Sequence, residues 1–452
     1  MTTKILLVYP VPSISSPQLS PPLSILYVGE AIKQAKARGK SDDDFEVRYF
    51  DERYDDAPDM SWPDFVGVSS MTGHQLKGAI HWLKEAKRHN KITILGGIHV
   101  TMQPDQCLEE KYVDRIVLSE GEWAILDSIH GQRISHGHLN GEHVSPVSSD
   151  TLIHFQRSAR TGDTVLLSSR GCPFRCGFCY IQKFFERHWE SVDLDIWKKD
   201  ILFLKQAAGV KKLEHGDDWI GKWSRAKEII RFLWDNGIEY RPSIRAHQVN
   251  DEVAKEMSEM GIKHISIGME TGSDRMLKLT EKDITREDQI RCAEALSKYG
   301  IWPLYYWIVG FPTETKQEMD QTLDQADLIH RIHKGKVTQD FYAYTALPGS
   351  PMFDLVDTSK LPQTMEGWSN YTLNQTHDKK ASNIYYIGGF NFHRGRGDKT
   401  DRNFPGAKRL LIAPFEATAG IRWKLRYFDN YGLEKKAIQY LLKKVNKGYK
   451  QV

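Results

Sequence analysis

Three cysteines, Cys172, Cys176 and Cys179, stand within eight positions of one another in the run Arg170-Gly171-Cys172-Pro173-Phe174-Arg175-Cys176-Gly177-Phe178-Cys179-Tyr180. Spacings of four and three residues, on a loop broken by Gly171, Pro173 and Gly177, let three thiolates wrap around a compact metal cluster. Thiolates are soft ligands suited to iron–sulfur chemistry. Closed structural zinc needs four ligands, and the other two cysteines, Cys107 and Cys292, are isolated in the sequence. A trio with no fourth cysteine partner leaves one iron open; the competing reading is a zinc site completed by a histidine such as His188. Five cysteines in 452 residues are too few for a disulfide framework.

The elements that must carry this loop follow from periodicity. Thr164–Ser169 is strand-like and leads into the cysteines, and from 164 to about 350 a strand-then-helix unit repeats roughly six times. That pattern predicts a partial TIM-like (β/α)6 barrel with its site at the strand C-termini. The later strands carry Asp217-Asp218, Tyr240-Arg-Pro-Ser243-Ile-Arg245, His264 to Glu270, Trp307-Ile308-Val-Gly310 and Phe341 to Tyr344. Residues 1 to about 130 alternate apolar runs with helical patterns: strands at Lys4–Tyr9, Glu46–Phe50, Phe65–Ser69, Ile92–Leu95 and Arg115–Leu118, and a first helix from about Leu23 to Ala37. This predicts an α/β, Rossmann-like doubly wound parallel sheet, whose ligands bind where strand C-termini and helix N-termini converge. No Gly-x-Gly-x-x-Gly or Walker loop is present, so nucleotide binding has no support beyond the fold. Gly96-Gly97 also read as glycines that let backbone turn close to a helix.

The pattern Cys-x-x-x-Cys-x-aromatic-Cys resembles the signature of the radical S-adenosylmethionine (SAM) superfamily. The ordered tails Pro21-Pro22-Leu23, Ser69 to Gln75, Gly96-Gly97-Ile98-His99 and Glu120-Gly121-Glu122 resemble the cobalamin-binding domain of cobalamin-dependent radical SAM enzymes. The resemblance implies a [4Fe-4S] cluster on Cys172, Cys176 and Cys179, with SAM at the open iron cleaved to a 5′-deoxyadenosyl radical. It places SAM against Phe178, Asp217, Asp218, Ser243, Arg245, Glu270, Ile308 and Gly310, and cobalamin against Ser69, Ser70, Met71, Thr72, Gly73, Gln75, Gly96, Gly97, His99, Gly121 and Glu122. A carboxylate at 217–218 suits an ammonium and the Arg245 fork suits a carboxylate, with helix capping and a surface cation as their ordinary roles. The Asp-x-His-x-x-Gly that supplies a cobalt ligand in methionine-synthase-like domains is absent; the loop reads Pro10-Val-Pro-Ser-Ile-Ser-Ser-Pro17. The implied activity is methylation of an unactivated carbon. The alternatives are a radical SAM lyase, dehydratase or cyclase of the same fold, and a non-catalytic iron–sulfur electron carrier or redox sensor.

The expected organisation is 1–135 cobalamin-binding, 136–160 connector, 161–352 radical SAM barrel and 353–452 a substrate-capping region dense in aromatic and basic residues, ending in helix-like spacing from Leu433 to Val445. Tyr305, Tyr306, Trp307, Tyr342 and Tyr344 are candidates to face substrate, with packing as the commoner role. A balance of 62 Lys+Arg against 59 Asp+Glu, net +3, gives no reason to expect nucleic acid. No apolar run approaches the ~20 residues of a membrane span, and the five-residue apolar stretch before Pro10 is short for a secretory signal, so a cytoplasmic enzyme is expected. Its partners would be a small-molecule or peptide substrate and an electron donor such as a flavodoxin or ferredoxin.

Overall fold

The computed structural model describes residues 2–12, 19–162, 164–371, 379–392, 409–428 and 436. The chain divides into two compact units: Met1–Ile220 with Gly237–Glu239 and Leu347–Thr372, and Gly221–Asn236 with Tyr240–Ala346 and Leu373–Val452.

The first unit is built on six parallel strands, β1 (Thr2–Tyr9), β2 (Asp44–Asp51), β3 (Phe65–Ser69), β4 (Ile92–Gly96), β5 (Arg115–Ser119) and β6 (Ile134–Gly137), in the order β2-β1-β3-β4-β5-β6. Ile5, Leu6, Leu7 and Val8 are all buried, because a parallel strand covered on both faces reads as a continuous apolar run. Each such side chain contributes about 1.5–3 kcal/mol relative to exposure. Strand order reverses between β1 and β3, which opens a crevice at their carboxyl ends. Helices Leu23–Gln34, His74–Arg88 and Gly121–Ile129 start from the loops around it.

Two segments differ from the sequence expectation. Residues 131–160, which show no periodicity, contain β6 and a helix at Leu152–Thr161. The helix ends on Gly162 at φ 71° and is held by Arg157 donating to Asp55 at 2.7 Å. Of the run 164–169 only Ser169 is in a ladder, as the first residue of Ser169–Gly171, which pairs antiparallel with Trp189–Ser191. Residues 164–167 are extended chain, with Thr164 accepting from the Glu214 N–H at 2.9 Å. The apolar alternation there reflects burial of Leu166 rather than strand pairing.

The second unit holds four parallel strands in the order Ser243–Arg245, His264–Glu270, Trp302–Val309 and Thr338–Ala343. Helices Asp251–Glu259, Arg286–Lys298 and Lys316–Ile332 connect them, the repeat of a (β/α) architecture. Capping boxes Thr285/Asp288 and Thr315/Glu318 start the last two, each cap contributing about 1 kcal/mol. Helix Lys379–Phe392 packs on the last strand at Gly388, where a Cβ would come within 2.6 Å of the Phe341 ring. The Leu433–Val445 helix expected from sequence lies outside the described residues, as do 13–17 of the first loop and 393–396 of the aromatic stretch. Among the described residues no helix is long and apolar enough to cross a membrane.

Candidate active site and cofactor cradle

The crevice at the carboxyl ends of β1, β3, β4 and β5 opens into a cavity of about 400 Å3 lined by Ser69, Ser70, Met71, Gln75, Gly96, Gly97, Gly121 and Glu122. Gly97 is there for the backbone: at φ 99° it lets Ser70 approach, and a Cβ would meet the Ser70 oxygen at 2.6 Å. Gly96 is different, since the nearest atoms to a Cβ are Val117 at 3.9 Å, so its missing side chain leaves room in the cavity. Gln75 is occupied in holding loops, accepting from the Met71 N–H at 2.9 Å and donating to the Pro10 carbonyl at 3.1 Å.

Thr72, Gly73 and His99 are not on the cavity wall. His99 is fully buried, with Nδ1 hydrogen-bonded to the Thr72 hydroxyl at 3.0 Å, and burial lowers its pKa to about 4, keeping the ring neutral. Gly73, at φ 99°, lies under the Tyr371 carbonyl.

The same cavity is walled by residues that adjoin the cysteines: Arg170, Tyr180, Ile181, Phe184, Phe185 and Asp218. Arg170 is the side chain that sequence reasoning missed. Its guanidinium donates to Glu122 at 2.6 Å, stands 3.7 Å from Glu120 and lies 4.2 Å over the Tyr27 ring. One cation therefore serves two buried carboxylates. Burial pushes the Glu120 carboxyl up to about 7, against the pull of Arg170, and its Oε1 has no hydrogen-bond partner among the described residues. The available signal was position: Arg170 directly precedes Gly171-Cys172.

Gly171 is at φ 74°, where a Cβ would run into the His188 carbonyl, so the loop enters its turn only with glycine. Cys176 is buried and Cys172 and Cys179 half-buried; the Cys179 N–H donates to the Cys176 carbonyl at 3.0 Å, and Gln182 to the same carbonyl at 2.9 Å. Burial, with Cys176, Asp218 and Cys172 adding negative charge, pushes the Cys179 thiol up to about 12. A bound metal's positive charge reverses that cost, so this donor set fits a cluster. Among the described residues the one group of three or more His, Cys, Asp or Glu ligand atoms within 4.8 Å of one another is His136, His138 and Glu186, so the three cysteine sulfurs do not all lie that close together. His188 faces Glu190 at 3.7 Å.

Asp217 is spent on architecture, accepting from the Ser168 N–H at 2.8 Å and the Ser169 hydroxyl at 2.8 Å. Asp218 opens onto the cavity, and crowding by surrounding protein, then Asp217, pushes its carboxyl up to about 6. Phe178 is half-buried on the cysteine loop.

The remaining candidates belong to the second unit. Ser243 opens the first strand and Arg245 ends it, Arg245 being 8% exposed. Glu270 sits at a bulge with φ 64°, buried, in an ion pair with Lys282 at 2.6 Å. Ile308 pairs in register with Tyr342, and Gly310, at φ 79°, donates its N–H to Glu314. Tyr305 and Trp307 are fully buried and hydrogen-bonded, to His333 at 3.0 Å and Gln339 at 2.9 Å, and Tyr344 is buried. Of the aromatic candidates, Tyr306 and Tyr342 keep accessible surface, with ring centres 6.0 Å apart.

A B12 binding domain family matches residues 11–127 and the radical SAM superfamily matches residues 166–326. An uncharacterized methyltransferase of Pyrococcus horikoshii is 28% identical over 340 residues, 69% of this chain and 72% of the relative. The cytidylyl-2-hydroxyethylphosphonate methyltransferase of Streptomyces wedmorensis is 23% identical over 356 residues, 64% and 66% of the two chains. The chain spans from 36% to 72% of the length of such curated relatives. The fold is similar to that of the cobalamin-dependent SAM radical enzyme OxsB with aqua-cobalamin and SAM bound, at TM-score 0.66 and 16% identity, covering 99% of this chain and 83% of that one. The chain thus carries a B12-binding domain followed by a radical SAM domain, the order that the resemblance to cobalamin-dependent radical SAM enzymes implies.

Proposed function

We propose that this chain is a radical SAM C-methyltransferase that transfers a methyl group to a carbon of a small-molecule or peptide substrate, drawing electrons from a flavodoxin- or ferredoxin-like donor. The observation that carries this reading is a shared wall: the cavity bounded by Ser69, Gly96 and Gly121 is also bounded by Tyr180, Ile181 and Phe184, within five residues of Cys179. Methyltransferases among the relatives support it. Its organisation follows the sequence limits, with 1–135 as cobalamin-binding domain, 136–160 as connector, 161–352 as radical SAM domain and 353–452 as cap.

When bound, the cluster with SAM supplies a 5′-deoxyadenosyl radical and cobalamin a transferable methyl group. The protein's part is holding and shielding. Cys172, Cys176 and Cys179 hold the cluster by three corners. Asp218 accepts the SAM ammonium, for which its carboxyl is mostly ionised at neutral pH. Arg245, at a strand end of the second unit, offers the two-pronged donor that a carboxylate needs. Gly96 leaves space for the corrinoid at the sheet, and Phe184 and Phe185 exclude water from the cavity.

The test is anaerobic incubation of the reconstituted protein with SAM, a strong reductant and candidate substrates. The expected products are 5′-deoxyadenosine, S-adenosylhomocysteine and a substrate one CH2 heavier; Cys176→Ala loses all three with the iron. 5′-Deoxyadenosine with an unmethylated, rearranged product would replace methyl transfer by lyase or cyclase chemistry.

A further inference from the structure

A second group of ligands stands beside the cysteine loop and takes no part in the reading above. His136 in β6 and His138 just beyond it alternate with buried Ser135, Gly137 and Leu139, so both imidazoles stand on one exposed face of the sheet edge. Glu186 approaches them from the turn that follows the helix Ile181–Phe184. Its Oε1 lies 3.9 Å from Nε2 of each histidine, and the two rings meet edge-on with centres 4.6 Å apart. The turn holds Glu186 and Arg187 at φ 49° and 60°, left-handed values that cost non-glycine residues energy.

Two imidazoles and one carboxylate form a donor set for a borderline divalent ion. Bonds of about 2.0–2.1 Å place ligand atoms about 3.3 Å apart around a tetrahedral ion. The two 3.9 Å separations therefore need to close by about half an ångström, a side-chain adjustment for exposed residues. The Ser119 hydroxyl is hydrogen-bonded to His136 Nε2 at 3.1 Å, a contact that the ion would replace.

We propose that His136, His138 and Glu186 bind a divalent first-row transition ion, zinc by preference, which staples the turn after the cysteine loop to the end of β6. The consequence is mechanical. Ser119 on one side, and Phe184 and Phe185 just before Glu186 on the other, line the cavity described above, so the ion would fix the separation of two of its walls.

The test uses the full chain with its cluster loaded, so that the cysteines are occupied. Zinc retained after desalting is counted by mass spectrometry, cobalt(II) is added as a spectroscopic probe, and tryptic cleavage after the exposed Arg187 is timed with and without zinc. The expected results are one zinc per chain, a cobalt spectrum with visible bands but no thiolate charge transfer, and cleavage slowed by zinc. His136→Ala/His138→Ala weakens zinc binding by about two orders of magnitude or more and abolishes the protection, with iron content unchanged; Glu186→Gln lies between. No zinc beyond the cluster metals, equal binding by the double variant or a thiolate band overturns the site. Zinc binding without slower cleavage overturns the staple.

Discussion

Arg170 is a largely buried cation placed against two buried carboxylates, Glu120 and Glu122. Removing one partner of a buried ion pair leaves uncompensated charge, at about 3–5 kcal/mol. Arg170→Met is therefore expected to lower unfolding free energy in denaturant titration by about that amount, and Arg170→Met/Glu122→Gln to recover part of it. Glu120 adds a pH signature. Its pKa rises from 4.5 to about 7 on folding, so the folded state holds a proton that the unfolded state gives up, and stability falls as pH rises across that window. The slope is on the order of 3 kcal/mol between the two values, flat above them. Glu120→Gln should remove it, leaving the variant more stable than the parent at pH 8; an unchanged pH profile would refute the assignment. The cysteines were legible because their spacing is local. Arg170 was not, since its partner Glu122 is 48 residues away and charge pairing across a fold has no local pattern.

The paired glycines at the end of β4 separate two jobs that sequence cannot tell apart. Gly97 is demanded by its backbone and by Ser70, whereas Gly96 faces only ordinary contact. Gly97→Ala should therefore cost about 1–3 kcal/mol in thermal unfolding, and Gly96→Ala should melt like the parent while losing corrinoid, read from the visible absorbance of the reconstituted protein. If Gly96→Ala keeps full corrinoid content, the cradle assignment is wrong at that loop. At this scale β1, β3, β4 and β5 were readable because each carries a short apolar run, and β2 because apolar and charged residues alternate along it. β6 was not, because Ile134-Ser-His-Gly137 buries only two small residues, and the 164–169 run read as a strand because extended, half-buried chain has the same alternation whether or not a partner completes its ladder.

For the whole molecule, the contacts group the cysteine loop with the cradle rather than with the later strands: Cys172 to Cys179 and Asp218 fall in the unit that contains β1–β6, while Ser243, Arg245, Glu270, Ile308 and Gly310 fall in the other. The radical SAM family match crosses that division, running from 166 to 326. If cluster and corrinoid are both held by the first unit, damage confined to the second unit's strand ends should spare both and touch only SAM. Arg245→Lys keeps the charge but loses the two-pronged geometry that a carboxylate needs. It is expected to weaken SAM binding about tenfold or more, measured by equilibrium dialysis, with iron per chain and corrinoid absorbance equal to the parent. A parallel loss of iron or corrinoid would mean that the two units do not divide the cofactors in this way. The converse variant, Cys176→Ala, should lose iron and SAM binding together, because the SAM amine and carboxylate have no open iron to bind, while its corrinoid content stays with the cradle.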